Sequence, residues 1–434
     1  MAKVVRVGLL GCGNVGAAVL RMLFDHAGEI ARRAGAPIEV TRVAVRDLDK
    51  PRGVSFPREL LTADPGQVVG DPDVDVIVEV IGGIEPARSL ILAAFSAGKP
   101  VVTANKELLS SRGKELFQAA ARAGVDLLYE ASVGGGIPLI RPLREHLAGD
   151  RIIRFIGIVN GTTNYVLTRM TEEGQTREEA LLEAQALGYA EADPTADVEG
   201  FDAAANAAIL ATIAFDLPVA ADDVHREGIS RVTSDDIGFA RRLGFVVKLL
   251  AIAEADDGAV SVRVHPAMIP SDHPLASVRE SFNAVFVEGE RVGPLMLYGH
   301  GAGGDPTATS VVGDIIDLAR TRSAGSLTLV GHATSEEGGG GRRLRPIGEL
   351  SSQYYLLMRV SDRPGVLAGI AGVFADHLVS IKSVWQEGHG DEAQIVLVTH
   401  RAGESALQAC VADLRELDAV KEVSSVIRVV AGEP

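Results

Sequence analysis

Apolar runs and amphipathic stretches alternate along the first 138 residues of the chain. The apolar runs predict strands at Val4–Leu10, Glu39–Val45, Val74–Val80, Pro100–Thr103 and Val125–Tyr129, and the amphipathic stretches predict helices at Val15–Arg33, Ala87–Ala97 and Arg112–Ala123. Strands that alternate with helices in this way are typical of a parallel sheet covered by helices. We therefore expect residues 1–138 to form an α/β domain.

The pattern becomes mixed between residues 139 and 294. Strands are predicted at Ile152–Val159, Gly258–Met268 and Ala284–Glu290, and helices at Arg177–Leu187 and Asp202–Ala214. This order predicts a central α+β domain. A glycine-rich turn at Gly299–Asp305 then leads into a helix from Pro306 to about Arg320. Residues 321–350 include the run Gly338–Gly341, which predicts a flexible linker.

Residues 351–434 order their predicted elements as strand, helix, strand, strand, helix and strand. The strands are expected at Tyr354–Val360, Ser380–Gln386, Gln394–Thr399 and Glu422–Val430, and the helices at Val366–His377 and Glu404–Leu417. This order indicates a small ferredoxin-like domain.

The composition narrows the classes of function. The formal net charge is -16, and an acidic surface repels phosphate backbones, so we expect no nucleic-acid partner. No apolar run reaches the length that spans a bilayer, so we expect no membrane partner. Cys12 and Cys410 cannot by themselves build a disulfide framework or a metal cluster. The cytoplasm is the predicted compartment.

A glycine-rich turn follows the first predicted strand and opens the first predicted helix. Its sequence is Gly11-Cys12-Gly13-Asn14-Val15-Gly16. In a strand–turn–helix context this pattern indicates a Rossmann-type dinucleotide site, because the turn brings a pyrophosphate to the helix N-terminus. The alternative is a tight turn that binds no ligand. We expect Gly11, Gly13, Asn14, Val15 and Gly16 to contact the cofactor.

The end of the second predicted strand bears on the choice of cofactor. An acidic residue at this point binds the ribose 2′-hydroxyl of NAD, whereas an arginine accommodates the 2′-phosphate of NADP. Arg46 and Asp47 both follow the strand, with Lys50 and Arg52 nearby. Arg46 comes first and has basic neighbours, which favours NADP; NAD and a merely solvated Arg46 stay open.

Two further segments carry candidate chemistry. Lys106 follows the strand Pro100–Thr103, and ligands of open α/β sheets bind at the carboxyl ends of the strands. A lysine there can polarise a carbonyl or assist proton transfer. The segment from Glu191 to Asp202 packs five carboxylates into twelve residues. Such a cluster suits an amino group, a hydroxyl or a metal, although an acidic loop that caps a helix would look the same.

Taken together, these segments resemble the homoserine dehydrogenase family over most of the chain. The motifs that carry the resemblance are Gly11–Gly16, Thr103–Lys106, Glu130–Pro138, Asn160–Asn164, Gly188–Asp202 and Gly301–Thr307. The resemblance implies reversible oxidation of L-homoserine to L-aspartate 4-semialdehyde with NADP or NAD, in the threonine and methionine branch of amino-acid biosynthesis. A Rossmann-type oxidoreductase with another small substrate would lack the Gly188–Asp202 run.

The resemblance also implies roles for individual residues. Lys106 matches a catalytic lysine, and the residues expected at the substrate are Thr162, Tyr189, Glu191, Asp197 and Asp202. Thr103, Lys106 and Gly303 are expected near the cofactor. Gly303 is included because the Gly301–Thr307 turn resembles the return of the chain, over about 295–320, to the nucleotide domain. Residues 139–294 would then bind substrate and hold the oligomer together. Glu130, Val133, Gly135 and Ile137 match a monovalent-cation site built largely of backbone carbonyls, which suits Na⁺ better than zinc.

One position departs from the family pattern. Four residues after Asp202, where the family has a lysine thought to assist proton transfer, this chain has Asn206. An amide can hydrogen-bond a hydroxyl but cannot carry the proton or the charge. Two hypotheses follow: Lys106 carries the chemistry alone, or the chain is a catalytically impaired homologue that acts as an amino-acid sensor.

The C-terminal segment resembles an ACT domain in its element order and in the turn Asp362–Leu367. Exposed N–H groups at the helix start after Gly365 can bind an amino-acid carboxylate. ACT domains commonly pair side by side, and for this pathway the expected effector is L-threonine. The alternative is a dimerisation module without a ligand. We expect a homodimer or a homotetramer.

Overall fold

A computed structural model describes residues 4–324, 341–388 and 393–430. The α/β class is confirmed: a parallel six-stranded sheet comes first, a larger mixed sheet follows, and a small α/β domain closes the chain. Among the described residues, none of the helices combines the length and the apolar character that a membrane span requires.

The first part is a Rossmann-type domain. Its elements are β1 (Val5–Leu10), α1 (Asn14–Asp25), α2 (Ala27–Ala34), β2 (Ile38–Ala44), β3 (Leu61–Thr62), α3 (Pro65–Gly70), β4 (Val76–Glu79), α4 (Ala87–Ser96), β5 (Val101–Thr103), α5 (Lys106–Ala123) and β6 (Leu127–Leu128). All strands run parallel in the order β3-β2-β1-β4-β5-β6. The prediction of one helix over Val15–Arg33 is wrong, because His26 leaves helical geometry and separates α1 from α2.

The central part mixes helices with long antiparallel strands. Its elements are β7 (Ile152–Ile158), α6 (Gly161–Glu173), α7 (Arg177–Ala186), α8 (Thr195–Val198), α9 (Phe201–Phe215), β8 (His225–Arg226), α10 (Ser234–Arg242), β9 (Phe245–Asp256), β10 (Ala259–Pro270), β11 (Phe282–Gly289) and β12 (Gly293–His300). The sheet order is β12-β11-β7-β9-β10. The apolar helix α9 packs into the core beside β9 and β10 because alanines let it approach closely.

The chain then returns to the first domain through α11 (Gly304–Ala324). Ala308, Val311 and Ile315 of this helix share a buried core with Val19 and Leu23 of α1. The return places the start of α11 beside the dinucleotide turn, where Gly304 lies against the main chain of Asn14.

The last part has the element order expected of a ferredoxin-like domain. It consists of β13 (Arg343–Leu344), β14 (Ser351–Val360), α12 (Val366–Asp376), β15 (Ile381–Glu387), β16 (Ala393–Thr399), β17 (Ala402–Gly403), α13 (Glu404–Arg415) and β18 (Val420–Val429). Its antiparallel sheet has the order β18-β14-β16-β15.

The C-terminal domain is joined to the central sheet more closely than the sequence suggests. Strand β18 pairs in parallel with β10 at Ala267–Arg428 and Met268–Val429. Within the predicted linker 321–350, residues 321–324 complete α11, and β13 pairs with β10. The hydrogen bond from Arg345 N to Val260 O continues this pairing. Residues 325–340 of the predicted linker lie outside the described residues.

Candidate active site

Three glycines shape the turn between β1 and α1, and at two of them a side chain would clash with the protein's own main chain. Gly11 has a φ of 101°, and a Cβ there would lie 2.8 Å from the carbonyl oxygen of Val80. A Cβ on Gly16 would lie 2.3 Å from the carbonyl oxygen of Gly11. At Gly13 a Cβ would meet no heavy atom within 4 Å. The open space at Gly13 therefore fits a bound group, at a helix start that has no acidic side chain in its first turn.

Two cavities flank this turn. One, of about 720 Å³, is lined by Gly11, Gly13, Arg46 and Lys50. The other, of about 520 Å³, includes Asn14 and reaches Gly304 at the start of α11. Gly303, where φ is 121°, directly precedes Gly304, which lines this second cavity. The volumes are in the range of small-molecule sites.

The two candidates for the cofactor ribose differ in their contacts. The Asp47 carboxylate accepts a hydrogen bond from the backbone N–H of Asp49 at 2.9 Å, and the Asp47 carbonyl oxygen accepts one from Arg52. Arg46 lines the 720 Å³ cavity, and none of the described residues accepts a hydrogen bond from its side chain. Asp47 lines the same cavity, so the crevice presents both an arginine whose side chain donates to none of the described residues and a carboxylate that is engaged with its own loop.

A buried hydrogen-bond network fixes the strand ends that lead to Lys106. The fully buried Glu79 accepts hydrogen bonds from the Thr103 hydroxyl at 2.6 Å and from the backbone N–H of Ile81 at 2.8 Å. Thr103 in turn accepts from the Asn105 N–H, and the Asn105 side chain caps α5 by accepting from Leu108 N at 3.1 Å. Lys106 is consequently the first residue of a capped helix, at the carboxyl end of β5.

Lys106 meets the carboxylate cluster through Asp202. The Lys106 ammonium contacts Asp202 Oδ1, and both side chains are only partly exposed. Asp202 Oδ2 accepts hydrogen bonds from Asn160 Nδ2 at 3.1 Å and from Asn206 Nδ2 at 3.2 Å. Asn160 also donates to Asp197 Oδ1 at 2.7 Å, so one amide holds both aspartates. The elements β5, α6, α8 and α9 thus converge on one polar centre.

Asn206 is part of this centre but lies beneath it. The residue is buried, and its Nδ2 also donates to the carbonyl oxygen of Val159 at 2.9 Å. The i,i+4 spacing on α9 places Asn206 on the same helix face as Asp202. Its amide therefore positions the carboxylate that contacts Lys106.

Burial raises the pKa of the Asp197 carboxyl above its usual range, while the hydrogen bond from Asn160 acts in the opposite direction and the nearby Asp202 reinforces the rise. The site thus has one carboxylate in contact with a cation and another whose ionised form is less favoured. Groups with displaced proton affinities are common where protons or charged substrates are handled.

The remaining predicted substrate residues are less closely gathered. The Thr162 hydroxyl donates to the Tyr189 carbonyl oxygen at 2.6 Å, which ties α6 to the loop after α7. The Tyr189 ring packs on Tyr165 with centroids 5.2 Å apart. Glu191 is exposed, and its described hydrogen bond uses its main-chain oxygen, with Gln185 as donor. Thr162 and Tyr189 therefore line the centre's edge, while Glu191 lies exposed on the adjoining loop.

The predicted cation loop has a well-defined geometry. The Glu130 carboxylate accepts three backbone N–H bonds, from Leu139, Ile140 and Arg141, at 2.7–2.9 Å. Its side chain is thus engaged within the protein, which leaves main-chain oxygens for a cation. The Gly135 carbonyl oxygen, one of the expected ligands, accepts from the Ser310 hydroxyl at 2.7 Å. Val133 and Ile137 lie buried on the same loop, and main-chain oxygens are the kind of donor that a hard monovalent ion prefers.

The described residues give no support for a metal site built from side chains. Among the described residues, no group of three or more His, Cys, Asp or Glu side chains is arranged to hold a metal ion.

Two functional residues escape the sequence expectations. Asn160 is part of the Asn160–Asn164 motif, but its side chain gains a role only when α6 brings it to Asp197 and Asp202. Glu79 sits at the end of an apolar strand, where a lone carboxylate before a Gly-Gly turn is a usable signal for a buried hydrogen-bond acceptor.

Comparisons with known proteins identify the family of the chain. The homoserine dehydrogenase family model matches residues 138–316, the model of its NAD-binding domain matches residues 11–130, and the ACT domain model matches residues 354–419. The homoserine dehydrogenase of Mycobacterium tuberculosis is 51% identical over 437 residues, covering 98% of both chains. The homoserine dehydrogenase of Corynebacterium glutamicum is 49% identical over 429 residues, covering 98% of this chain and 95% of that one.

Solved structures lead to the same family. The homoserine dehydrogenase of Thiobacillus denitrificans superposes with a TM-score of 0.93 at 44% identity, over 99% of this chain and 98% of that one. A hyperthermophilic archaeal homoserine dehydrogenase in complex with NADPH gives a TM-score of 0.62 at 28% identity, over 73% of this chain and 97% of that one. The alternative of a catalytically impaired sensor gains no support from these relatives. The chain belongs to the homoserine dehydrogenase family, as an oxidoreductase with a nicotinamide-nucleotide domain and a C-terminal ACT domain.

Proposed function

We propose that the chain catalyses the reversible interconversion of L-homoserine and L-aspartate 4-semialdehyde with NADP(H). The observation that carries this proposal is the contact of Lys106 with Asp202 at the carboxyl end of β5, beside the dinucleotide crevice. An alcohol carbon gives up a hydride only as its hydroxyl loses a proton, so the site needs a cation and a proton acceptor at that oxygen. The Lys106–Asp202 pair supplies both.

Each side chain of the centre has a role in this proposal. Lys106 polarises the substrate oxygen and, together with Asp202, moves the hydroxyl proton. Asp197 and Glu191 bind the substrate ammonium, and Thr162 and Tyr189 shape the pocket edge near its carboxylate. When bound, the nicotinamide supplies the acceptor for the hydride from C4. Holding the reactants in place contributes a large part of such a rate enhancement.

NADP is the proposed cofactor, with NAD as the alternative. Arg46 supports this choice, because it lines the crevice and its side chain donates to none of the described residues, while Asp47 in the same crevice is engaged with its own loop. The archaeal relative solved with NADPH is consistent with it. Gly11, Gly13, Asn14, Val15 and Gly16 would surround the pyrophosphate, and Thr103 and Gly303 would border the nicotinamide side. Gly13 is open where a phosphate needs space.

Asn206 acts in this proposal as a positioning residue. Its amide holds Asp202 Oδ2 and is itself fixed by Val159, so the carboxylate keeps its place beside Lys106. The Asn206 amide cannot take up the hydroxyl proton, and Lys106 is therefore the one lysine assigned to the chemistry. The proposal includes Na⁺ on the main-chain oxygens of Glu130, Val133, Gly135 and Ile137, where it would brace the start of α11 through the Gly135–Ser310 contact.

Regulation and assembly complete the proposal. L-threonine would bind at the ACT domain near Gly365, whose φ of 95° opens the N-terminus of α12 to a carboxylate. The domain limits 1–138 with about 295–320, 139–294 and 351–434, a cytoplasmic location, and a homodimer or homotetramer remain predictions. Light scattering with and without threonine, alongside activity, tests the effector: binding that changes neither contradicts regulation.

The reaction is tested by homoserine-dependent reduction of NADP⁺ and NAD⁺, with Asn206→Ala and Asn206→Lys assayed beside the unaltered chain. We expect turnover by the unaltered chain, faster with NADP⁺. Asn206→Ala should lower kcat and leave the KM for cofactor unchanged, because the amide acts through Asp202. Turnover in Asn206→Lys alone would mean that the unaltered chain is impaired. No turnover in any variant would contradict the proposed reaction.

A further inference from the structure

A cavity of about 1,040 Å³ lies between the ACT domain and the central part, and its lining shares no residue with the crevice at the dinucleotide turn. One wall is the loop from Arg226 to Thr233 together with Glu199 and Phe201, and the other wall is formed by α13 and β18. This volume is at the upper end of the range for small-molecule sites. The cavity thus has room for a metabolite and touches both the regulatory and the catalytic parts.

The cavity concentrates positive charge on a protein whose net charge is -16. Arg177, Arg226 and Arg231 line it from the central part, and Arg415 and Arg428 line it from the ACT domain. Three glutamates also line it, but Glu227 is already paired with Arg428 at 2.8 Å.

The arginines differ in what they already contact. Arg428 is buried and fully engaged, since it also binds Glu404 through two hydrogen bonds of 2.9 and 2.7 Å. Arg226 stacks over the Phe201 ring, with its guanidinium carbon 3.4 Å from the centroid. Arg231 and Arg415 are exposed, and within the described part of the chain neither forms a salt bridge. One uncommitted guanidinium therefore faces the cavity from each wall.

This arrangement fits a particular chemical class of ligand. Guanidinium groups bind phosphate oxygens in bidentate fashion, and two of them from opposite walls match a group that carries more than one negative charge. A phosphate ester or a pyrophosphate meets both conditions, whereas a single carboxylate neutralises only one arginine.

The cavity wall is packed against α8, which carries Asp197. A Cβ on Gly228 would lie 2.2 Å from the Val198 carbonyl oxygen, so the main chain of the cavity loop touches the C-terminal end of α8. Ile229 N donates to that same oxygen at 2.8 Å. Val198 follows Asp197 directly, and Phe201, under Arg226, precedes Asp202. The cavity loop therefore has a direct main-chain contact with the segment that carries both aspartates of the candidate active site.

We propose that this interdomain cavity binds a small phosphorylated anion between Arg231 and Arg415, and that its occupation changes homoserine binding through the Gly228–Val198 contact. Binding of the anion does not depend on the proposed reaction, whereas its effect on homoserine binding rests on that reaction. Binding and kinetics are therefore measured separately.

The binding experiment uses inorganic pyrophosphate as the probe and calorimetry on the full chain saturated with NADP⁺, so that the cofactor crevice is filled. We expect binding to the unaltered chain and at least about tenfold weaker binding to Arg231→Ala/Arg415→Ala, because charge-assisted hydrogen bonds are lost. The matched control is Arg33→Ala/Arg291→Ala, which removes two exposed arginines outside the cavity and should bind like the unaltered chain.

Several outcomes overturn the proposal. No binding to the unaltered chain, or equal binding by the Arg231/Arg415 variant, removes the site. A change in assembly mass of that variant, measured by sedimentation, would mean that these arginines hold subunits together instead. If the cavity is coupled to homoserine binding, pyrophosphate should shift the KM for homoserine in the unaltered chain and not in the Arg231/Arg415 variant. Binding without this shift overturns the coupling, and a chain with no homoserine activity overturns the proposed reaction while the binding result stands.

Discussion

The cofactor crevice and the substrate centre are built in opposite ways. The crevice depends on backbone geometry within six consecutive residues, Gly11–Gly16, where a strand turns into a helix. The substrate centre joins side chains that are far apart in sequence: Lys106 and Asp202 are separated by 96 positions, and Asn160 and Asp202 by 42. The comparison teaches that a site made of local backbone survives many side-chain changes, whereas a site made of distant side chains fails when one of them is lost.

The largest expected effect is at the substrate centre. Lys106→Met should lower kcat by about 10²–10⁴-fold, the usual loss when a group that assists proton transfer is removed. Cofactor binding, measured by fluorescence titration, should change little, because the crevice does not depend on this side chain. Lys114→Met, on the exposed face of the same helix, is the control and should retain full activity. Equal loss of cofactor binding in Lys106→Met would erase the contrast between the two sites.

The part of the crevice formed by Gly11–Gly16 is broken through its backbone. Gly13→Ala should raise the KM for the cofactor by about 10²-fold, because its Cβ occupies space that only the ligand fills. Thermal stability should not change, since that Cβ would meet no heavy atom within 4 Å beyond its own chain neighbours. Gly16→Ala is the counterpart and should lower Tm as well, owing to the clash with the Gly11 carbonyl. A Gly13→Ala protein with unaltered cofactor KM would refute the assignment.

A smaller effect should separate the two nicotinamide cofactors. Arg46→Ala should raise the KM for NADP⁺ about tenfold and leave that for NAD⁺ nearly unchanged, because only NADP⁺ carries the 2′-phosphate. Steady-state kinetics with both cofactors measure this. An equal change for both would assign Arg46 to the surface or to the pyrophosphate instead.

The smallest effect concerns stability at Asp197. Burial raises the pKa of this carboxyl, so the folded state binds its proton more tightly than the unfolded state does. The ionised carboxylate therefore costs stability once the pH exceeds its folded pKa, and this cost disappears at acidic pH. Asp197→Asn should raise Tm at neutral pH, with the gain vanishing as the pH falls, while the KM for homoserine increases about tenfold.

Asp193 provides the opposite sign. Hydrogen bonds from the Thr195 hydroxyl and N–H lower the pKa of its carboxyl, so Asp193 stabilises the fold above the usual Asp range and loses that contribution in acid. Asp193→Asn should give no gain in Tm at neutral pH. A Tm gain of equal size in both variants would show that the effect at Asp197 does not arise from its burial.

The same contrast explains how far the sequence reaches. The strand–turn–helix pattern around Gly11–Gly16 is local, and it predicts both the sheet and the crevice. Asn160 could not be assigned, because its partners Asp197 and Asp202 are set by how α6 packs against α8 and α9. The pairing of β10 with β18 was equally out of reach, since the pattern of Glu422–Val430 predicts a strand but not its neighbour.

The interruption between α1 and α2 at His26 has only a weak signal in the sequence. Gly28 follows it within a stretch that otherwise looks helical, and α2 begins between the two residues. The strand Arg343–Leu344 inside the predicted linker 321–350 could not be predicted, because a two-residue strand is too short for a periodicity to show.

The most direct test of the account is a double-mutant cycle on kcat/KM for homoserine, using Lys106→Met, Asp202→Asn and the combined variant. If the two side chains work as one unit, the combined variant should lose about as much as Lys106→Met alone. If the two losses multiply instead, Lys106 and Asp202 act independently, and the pair at the end of β5 is not the reacting centre.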